Sequence, residues 1–484
     1  MRYPGYLSLF FIGIIFQLIG CGQKKDNLVR ISFNYPKAAG DTVLIARTNM
    51  VSLDSIGMGR VVLDSAGKGI VEFTLDAPVF AGISAGQLAA GLLVSPGDEI
   101  SIVPSRPGSK HMLGFEGDGA VVQEFLNEAV RFRQGMERWK GNLAIRLDKE
   151  EFLNARDSLE RGYDQLLTKL KSNPNISGEI RDLLTRQIKM SVLFYQYNYA
   201  IGRDSIDIPA SVWEATSEMP VDSIALKTGI FDFALIGSFY YQHKISNGIY
   251  GENEEMDGDS LDLIFPFLVE EKIKSSKYPK VIEEFLRAKS ADYQISMYGL
   301  TPSVIKLANT LEREIASNDF RKVIREDIAR WEKLGPGKPA PDFAGTTPDG
   351  KKISLSGLHG KVVYVDIWAT WCGPCVEEFP NSKKVQADFK GNDQVAFLYV
   401  SVDRDTLAWK KMVASGKVPN GIHIINSSDS PNSVWNLYYV WGVPRYLLID
   451  AQGRMVATHA DRPSSGKVSK ELRKLLTRDQ LAQK

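Results

Sequence analysis

The sequence predicts a multidomain protein with a small N-terminal β-sandwich, a central α-helical region and a C-terminal α/β domain. Short apolar runs between turn signals occupy residues 28–110, and helical periodicity dominates residues 115–334. Strands then alternate with helices over residues 342–484. Residues 335–341 are rich in proline and glycine, which predicts a linker because such a stretch cannot continue a helix.

The N-terminus has the pattern of an export signal. Residues 1–20 carry one early positive charge, Arg2, followed by an apolar run over residues 7–19. The run is too short for a spanning helix, which needs about 20 residues. It ends in Leu-Ile-Gly-Cys, which resembles a bacterial lipobox and would make Cys21 the lipidated first residue of the mature protein, with residues 21–27 as a tether. An uncleaved anchor or a buried N-terminal segment is the alternative interpretation.

A lipid anchor would place the mature protein outside the cytoplasm. We therefore expect a periplasmic location in a Gram-negative-type bacterium, with attachment to a membrane through acyl chains. The outer membrane is favoured, because Gly22 stands where an aspartate would indicate inner-membrane retention in some bacteria. Thiols in such an oxidising compartment stay reduced only if electrons are supplied to them.

Composition narrows the classes of function. The net charge is +1, which offers no electrostatic support for binding nucleic acid. Five scattered histidines show no metal-ligand spacing, and Gly117 and Gly119 lack the third glycine of a dinucleotide-binding loop. We therefore predict no metal, no cofactor and no nucleic-acid partner.

The two upstream regions carry no evident catalytic motif. The β region is interpreted as a docking or positioning module, or equally as a folded spacer. In the helical region an aromatic-rich patch allows a binding groove, although core packing is the simpler interpretation. Its members are Tyr195, Tyr197, Tyr199, Phe239, Tyr240 and Tyr241.

Cys372 and Cys375 stand where a predicted buried strand runs into a predicted helix. The strand covers residues 362–367 and the helix residues 374–389. Free backbone N–H groups and the positive helix end would stabilise a thiolate on Cys372, and the turn holds the two sulfurs close enough to bond. We expect Cys372, at the exposed tip, to attack a substrate disulfide and Cys375, turned inward, to resolve the mixed disulfide. A structural disulfide would add little stability, and half a zinc site would lack two ligands.

The string Trp-Ala-Thr-Trp-Cys-Gly-Pro-Cys-Val-Glu-Glu-Phe-Pro, residues 368–380, resembles the TlpA/ResA-like family of membrane-tethered thiol–disulfide oxidoreductases. Its inner part, residues 371–375, looks like the active site of thioredoxins. The resemblance covers residues 337–476. It implies a thioredoxin-like fold for the C-terminal domain and a redox disulfide between Cys372 and Cys375.

The resemblance also implies roles for two carboxyl groups. Asp366 matches the buried aspartate of thioredoxins, and a carboxyl in an apolar strand should have a raised pKa and be able to take the proton of Cys375. A purely structural hydrogen-bonding role is the alternative. Glu378 matches a glutamate that tunes the cysteine pair, although glutamates also simply suit the first turns of a helix.

Val443 and Pro444 match the cis-proline loop that faces the cysteines in thioredoxin folds. Together with Trp371 they are the predicted substrate-binding residues. The chain departs from the family pattern at Arg445, where thioredoxins usually carry threonine, and we expect a charge beside the substrate groove. Tyr399 replaces the lysine that thioredoxins place near the buried aspartate.

These observations predict a membrane-tethered thiol–disulfide oxidoreductase that reduces protein disulfides and receives electrons from a membrane donor. The Gly-Pro pair between the cysteines is of the thioredoxin type, with a potential of about −270 mV against about −120 mV for strong oxidants. A thiol peroxidase is one alternative, but the proline expected upstream of its nucleophile is missing between Pro348 and Pro374. The other is a binding or docking lipoprotein with an ancillary redox module.

Overall fold

The computed structural model describes most of the chain from residue 27 onward. The described residues are 27–86, 88–105, 113–117, 119–136, 138–139, 142–201, 203, 205–427 and 432–482. The predicted signal peptide and Cys21 lie outside them. Within the described ranges, no helix is both long enough and apolar enough to cross a bilayer. The described residues divide into two compact units, the first within residues 27–47, 56–132 and 165–184 and the second within residues 48–55, 133–164 and 185–482.

The first unit is rich in β-strands, as the turn-separated apolar runs predict. The strands are β1 (Leu28–Asn34), β2 (Thr42–Thr48), β3 (Ser55–Val62), β4 (Lys68–Thr74), β5 (Val79–Ala85), β6 (Leu88–Val94), β7 (Glu99–Pro104) and β8 (Leu113–Gly117). They form two four-stranded sheets, ordered β4-β1-β7-β8 and β3-β2-β5-β6. Alternate residues of β1 face inward, so that Val29 and Ile31 are fully buried. Side chains of both sheets contribute to one apolar core.

The middle of the chain is helical, with a two-stranded ribbon of β9 (Arg138–Trp139) and β10 (Asn142–Leu143). The helices are α1 (Ala120–Met136), α2 (Lys149–Lys171), α3 (Gly178–Ala200), α4 (Ala210–Thr216), α5 (Ser223–Thr228), α6 (Phe231–Tyr240), α7 (Asn247–Glu252), α8 (Gly258–Ser275), α9 (Lys280–Tyr298), α10 (Pro302–Glu314) and α11 (Asn318–Glu332). A π-helical turn, Tyr241–Ser246, joins α6 to α7. The predicted helical middle region is thus confirmed.

The helical periodicity over residues 304–331 belongs to two helices rather than one. The chain breaks between α10 and α11, where Ser317 accepts a hydrogen bond from the backbone N–H of Phe320 at 3.4 Å. A serine in this position satisfies a backbone donor that the first helical turn leaves free. The break lets α10 and α11 pack separately against α9.

The C-terminal part is an open α/β sheet with helices, as the alternating pattern predicts. Its elements are β11 (Ala344–Thr346), β12 (Lys352–Ser354), β13 (Val362–Trp368), α12 (Gly373–Ala387), β14 (Val395–Ser401), α13 (Thr406–Ala414), β15 (Ile422–Ile425), α14 (Val434–Leu437), β16 (Arg445–Ile449), β17 (Met455–Ala457) and α15 (Val468–Ala482). The seven strands are ordered β12-β11-β15-β14-β13-β16-β17. β13 is parallel to β14 and antiparallel to β16, and every residue of β13 is buried. A strand covered on both faces reads as a continuous apolar run, which is why its pattern predicted it correctly.

The last helices of the middle region share an apolar core with this sheet. Ile295 of α9, Val304 of α10 and Trp331 of α11 lie in one cluster with buried residues of β13, β14 and β16. The stretch of residues 335–341 is bonded to the neighbourhood of β17, since the N–H of Gly337 donates to the carbonyl of Met455 at 2.7 Å. The buried residues on one face of the sheet therefore share their core with α9, α10 and α11.

Candidate active site

The junction between β13 and α12 places the cysteine pair at a helix N-terminus. Cys372 is the N-cap residue of α12, and its Sγ accepts a hydrogen bond from the backbone N–H of Cys375 at 3.2 Å. Pro374 occupies the first turn, where its missing N–H leaves no hydrogen bond unmade. The positive end of the helix dipole therefore lies at Cys372 Sγ, which favours a thiolate there.

The two cysteines are joined by a disulfide, with an S–S distance of 1.98 Å and a Cα–Cα distance of 5.3 Å. Cys372 is 4% exposed and Cys375 is 1% exposed. The expectation that Cys372 forms the exposed tip is therefore wrong for this disulfide form. Trp371 is the exposed residue of the loop, at 67%. Its exposed indole offers an apolar surface directly before Cys372 in the chain.

A carboxylate that the sequence reasoning missed holds the cysteine loop in place. Asp403, just after β14, is buried and accepts hydrogen bonds from the backbone N–H of Thr370 at 2.9 Å and from its hydroxyl at 2.7 Å. Ser401 donates a third at 2.7 Å. The sequence could have indicated this residue by its position, because Asp403 follows a predicted buried strand. The carboxyl ends of parallel strands meet at the edge of the sheet where binding and active sites form.

Asp366 lies in the middle of β13 and is 2% exposed. Neither of its carboxylate oxygens has a hydrogen-bond partner among the described residues. Burial, with a smaller contribution from the negative charge of Glu378, raises the pKa of Asp366 to about 8. The pKa therefore lies close to neutral pH, where both the protonated and the ionised form of the carboxyl are populated, and this agrees with the raised pKa expected from its apolar strand.

Aromatic residues surround Asp366 where thioredoxins would offer a cation. Tyr399 of β14 and Tyr446 of β16 are its cross-strand neighbours. The hydroxyl of Tyr399 accepts a hydrogen bond from Gln386 at 2.9 Å, and burial followed by the charge of Asp366 raises the pKa of this tyrosine. A neutral neighbour in place of a lysine gives Asp366 no stabilising positive charge, so its pKa stays high.

Glu378 is the third buried carboxyl of the site, and like Asp403 it is hydrogen bonded. It receives the backbone N–H of Ser464 at 2.9 Å and the Ser464 hydroxyl at 2.6 Å. Arg462 approaches to 4.0 Å. Glu378 thus lies in α12 within electrostatic reach of Asp366, but its own charge is stabilised by donors from a distant loop.

The loop before β16 forms the other side of the site. The peptide bond between Val443 and Pro444 is cis, as the family resemblance implies. Arg445 pairs with Ile367 across the sheet, so Pro444 lies beside the end of β13, four residues before Cys372. The cysteine loop and the proline loop therefore meet at the same edge of the sheet.

Arg445 does not point into the substrate groove, so the expected charge beside it is wrong. The side chain is 6% exposed and donates from Nη2 to the carbonyl of Ser296 in α9 at 3.1 Å. Its guanidinium carbon lies 6.0 Å from the ring centre of Trp331 in α11. Burial lowers the pKa of Arg445 to about 10. The residue after the cis-proline is therefore fastened to the helical region.

The site combines a sulfur pair at a helix N-terminus, an unpartnered buried carboxyl and a cis-proline edge. These groups can exchange a disulfide and move a proton without a bound cofactor. In the part of the chain that the structure describes, no three His, Cys, Asp or Glu side chains are grouped to hold a metal ion.

Comparison with known proteins identifies relatives of the C-terminal part. Residues 335–476 match the Redoxin family model. The thiol-disulfide oxidoreductase ResA of Bacillus thuringiensis is 33% identical over 129 residues, which are 27% of this chain and 72% of that protein. ResA of Bacillus subtilis is 32% identical over 27% of this chain and 69% of its own length. A crystal structure of the thioredoxin domain of a thiol-disulfide oxidoreductase from Bacteroides vulgatus is 30% identical and covers 29% of this chain and 99% of that domain, with a TM-score of 0.27.

Proposed function

Since this chain belongs to the ResA/TlpA-like family of thiol–disulfide oxidoreductases, we propose that it works as a reductant of protein disulfides outside the cytoplasm. The observation that carries the proposal is the pairing of Cys372 and Cys375 at the N-terminus of α12, in a site with the buried, unpartnered Asp366. A structural cross-link would need neither an uncompensated acid nor a cis-proline edge. A redox pair uses both.

The reaction transfers two electrons from the dithiol to a substrate disulfide. The Cys372 thiolate attacks one substrate sulfur, which forms a mixed disulfide and releases the other substrate sulfur as a thiolate. The Cys375 thiolate then attacks Cys372 Sγ, which forms the intramolecular disulfide and releases the second substrate thiolate. The substrate gains two electrons and two protons, and the protein ends in the disulfide form seen in the structure.

Asp366 is the proposed proton acceptor for the second step. Its pKa of about 8 lies close to the ordinary value for a cysteine thiol, about 8.5, so a proton moves between the two groups with little free-energy change. An ordinary aspartate, with a pKa near about 3.9, would be a far weaker base. Glu378 raises the pKa of Asp366 further through its charge, which is the proposed tuning role of that residue.

The substrate segment would lie across Val443 and Pro444 and against Trp371. Val443 and Pro444 are half-buried at the edge of the sheet, and Trp371 is exposed beside the sulfur pair. Backbone groups of an extended peptide would pair with those of Val443, which favours disulfides in locally unfolded protein segments.

The N-terminal sequence supports placing this chemistry on a membrane surface. We propose that residues 1–20 are removed, that Cys21 is lipidated and that the protein lies in the periplasm, with the outer membrane favoured. A membrane electron donor would then return the disulfide to the dithiol by supplying two electrons and two protons. These proposals stand on the sequence pattern alone.

Trapping of the mixed disulfide tests the function. We expect the Cys375→Ser full chain to form a stable mixed disulfide through Cys372 with a disulfide-bonded test protein, because the resolving thiol is missing. The Cys372→Ser/Cys375→Ser double variant is the matched control and should form none. The adducts are measured on non-reducing gels and by mass spectrometry of the linked peptides.

Two further measurements separate the proposed function from its alternatives. Equilibration with glutathione should place the wild-type pair nearer to about −270 mV than to about −120 mV. Turnover of hydrogen peroxide should be negligible. Absence of adducts together with a potential at the oxidising end would overturn the reductant proposal.

A further inference from the structure

A cavity of about 240 Å³ lies next to the cis-proline loop, between α6, the π-helical turn, α9 and Trp441. It belongs to the second compact unit. Its lining is mostly aromatic and aliphatic. Most of the lining residues belong to the helical region, and Leu53 and Trp441 come from distant parts of the chain. The main apolar contributors are Leu53, Leu235, Phe239, Tyr293, Met297 and Trp441.

The cavity lies beside the proline loop of the active site. Trp441, half exposed, precedes Pro444 by three residues, which span at most about 11 Å. Ser296, on the opposite wall, accepts the hydrogen bond of Arg445, the residue after Pro444. The proposed substrate ledge is therefore bracketed by two residues that contact or form the walls of this cavity.

Two polar groups of the wall are hydrogen bonded within the protein. Lys289 is buried and donates to the carbonyl of Val51, and the hydroxyl of Ser238 donates to the carbonyl of Ala234 at 3.2 Å. Most of the remaining lining is apolar and aromatic, and its other polar groups include Gln242, Asp292 and the Tyr241 hydroxyl. An apolar cavity of about 150 Å³ binds benzene, so this one has room for a phenylalanine, tyrosine or tryptophan side chain.

We infer that this cavity takes a large aromatic side chain of the substrate protein, a few residues from the cysteine under attack. The inference rests on the proposed function and names its substrate class: disulfides in extended segments that carry a nearby aromatic residue. The aromatic-rich patch of the helical region is divided between two roles. Phe239 and Tyr241 line the cavity and would contact the ligand, whereas Tyr195, Tyr197 and Tyr199 are core residues. A π-helical turn at the wall, beginning at Tyr241, fits this use because such turns frequently occur at functional sites.

The test uses disulfide-linked dimers of one alanine-rich peptide with a single cysteine. In a series of variants a phenylalanine is moved from four residues before the cysteine to four residues after it. The reduced full chain reacts with each dimer, and the released thiol peptide is measured by rapid acid quench and chromatography. We expect one or two positions to react about tenfold faster than the all-alanine dimer, since burying an aromatic side chain stabilises the encounter by that order.

Variants link this preference to the cavity, and the readout is the ratio of the two rates within each protein. Ser238→Trp fills the cavity and should lower the ratio to below twofold. Trp441→Ala removes a half-exposed residue of the wall and should also lower the ratio. If circular dichroism shows that Ser238→Trp is unfolded, Trp441→Ala decides the question. Phe231→Ala removes an exposed aromatic residue of α6 that does not line the cavity, and should keep the tenfold ratio.

The outcomes separate the two proposals. If the wild type reduces every dimer at the same rate within twofold, the cavity inference is overturned and the reductant function stands. If Trp441→Ala and a folded Ser238→Trp both keep the tenfold preference, the preference arises elsewhere and the inference is again overturned. If no dimer is reduced, the proposed function itself fails.

Discussion

The two sides of the active site are built differently. On the cysteine side, the hydrogen bonds that hold the loop and the helix come from the C-terminal part, since Thr370 is held by Asp403 and Glu378 by Ser464. On the proline side, Arg445 is bonded to Ser296 of α9. This difference indicates that the proposed redox chemistry belongs to the thioredoxin-like part, whereas the proposed substrate ledge is also fixed by the helical region. Five predictions test the two sides of the site, in order of decreasing effect with the two tests of one variant kept together.

The largest effect is expected from removing the helical region. A chain of residues 335–484 loses the apolar contacts of Ile295, Val304 and Trp331 with the sheet. We expect its free energy of unfolding to be lower than that of the full chain by at least roughly 4 kcal/mol, because each of the three buried side chains contributes about 1.5–3 kcal/mol. Denaturant unfolding measures this difference. If the short chain is as stable as the full chain and binds peptides as well, the proline side does not depend on the helices.

The next largest effect is expected from Asp366→Asn. Loss of the proton acceptor should slow resolution by Cys375 about 100-fold, because general base catalysis contributes at least this much. Rapid-quench decay of the mixed disulfide measures the step. Glu377→Gln, an exposed change five residues from the active cysteine, is the control and should have no effect. An unchanged decay rate in Asp366→Asn would leave the aspartate with a structural role only.

The same variant gives a stability test with a definite sign. The pKa of Asp366 is raised in the folded protein, so the native state holds a proton that the unfolded state has lost between about pH 4 and about pH 8. The contribution of this proton to the free energy of unfolding is fully present below the pKa of the unfolded state. It is lost as the pH rises through the pKa of the folded state, about 8. We expect Asp366→Asn to be more stable than the wild type at pH 8 to 9, by on the order of a few kcal/mol, and to lack this decline.

A smaller effect is expected from Arg445→Met. Methionine has a similar length but cannot donate a hydrogen bond to the carbonyl of Ser296. The proline loop should therefore be held less firmly, while the sulfur pair is unchanged. We expect KM for peptide disulfides to rise severalfold, with the reduction potential unchanged. Steady-state kinetics and glutathione equilibration measure the two quantities. A change in potential without a change in KM would contradict the division between the two sides.

The smallest effect is expected from Glu378→Gln. Removing this charge removes the second cause of the raised pKa of Asp366, so that pKa should fall somewhat below about 8. The pH–rate profile of resolution should shift to lower pH in Glu378→Gln and stay in place in Glu377→Gln. A shift of equal size in both variants would mean that the effect is a general charge effect on the helix.

Local sequence patterns predicted the reactive part of the site. The strand β13 could be recognised because it is buried on both faces, and the cysteine pair because it follows that strand directly into a helix. The helical periodicity of the middle region did not reveal the break between α10 and α11, because the capping serine at the break is a weak signal. The local patterns also assigned an exposed position to Cys372, which packs among core residues in the disulfide form.

By itself the sequence determined which groups could react: a cysteine pair at a helix start, an acid in an apolar strand and a proline ahead of the next strand. These are properties of neighbouring residues. Only the tertiary structure decided what surrounds them, since Ser464 lies 86 residues from Glu378 and Arg445 lies 149 residues from Ser296. Side-chain direction, burial and cavities depend on such distant partners. The sequence around Arg445 therefore suggested a charge beside the groove. In the folded protein the side chain is buried and hydrogen bonded to Ser296, beside an aromatic cavity.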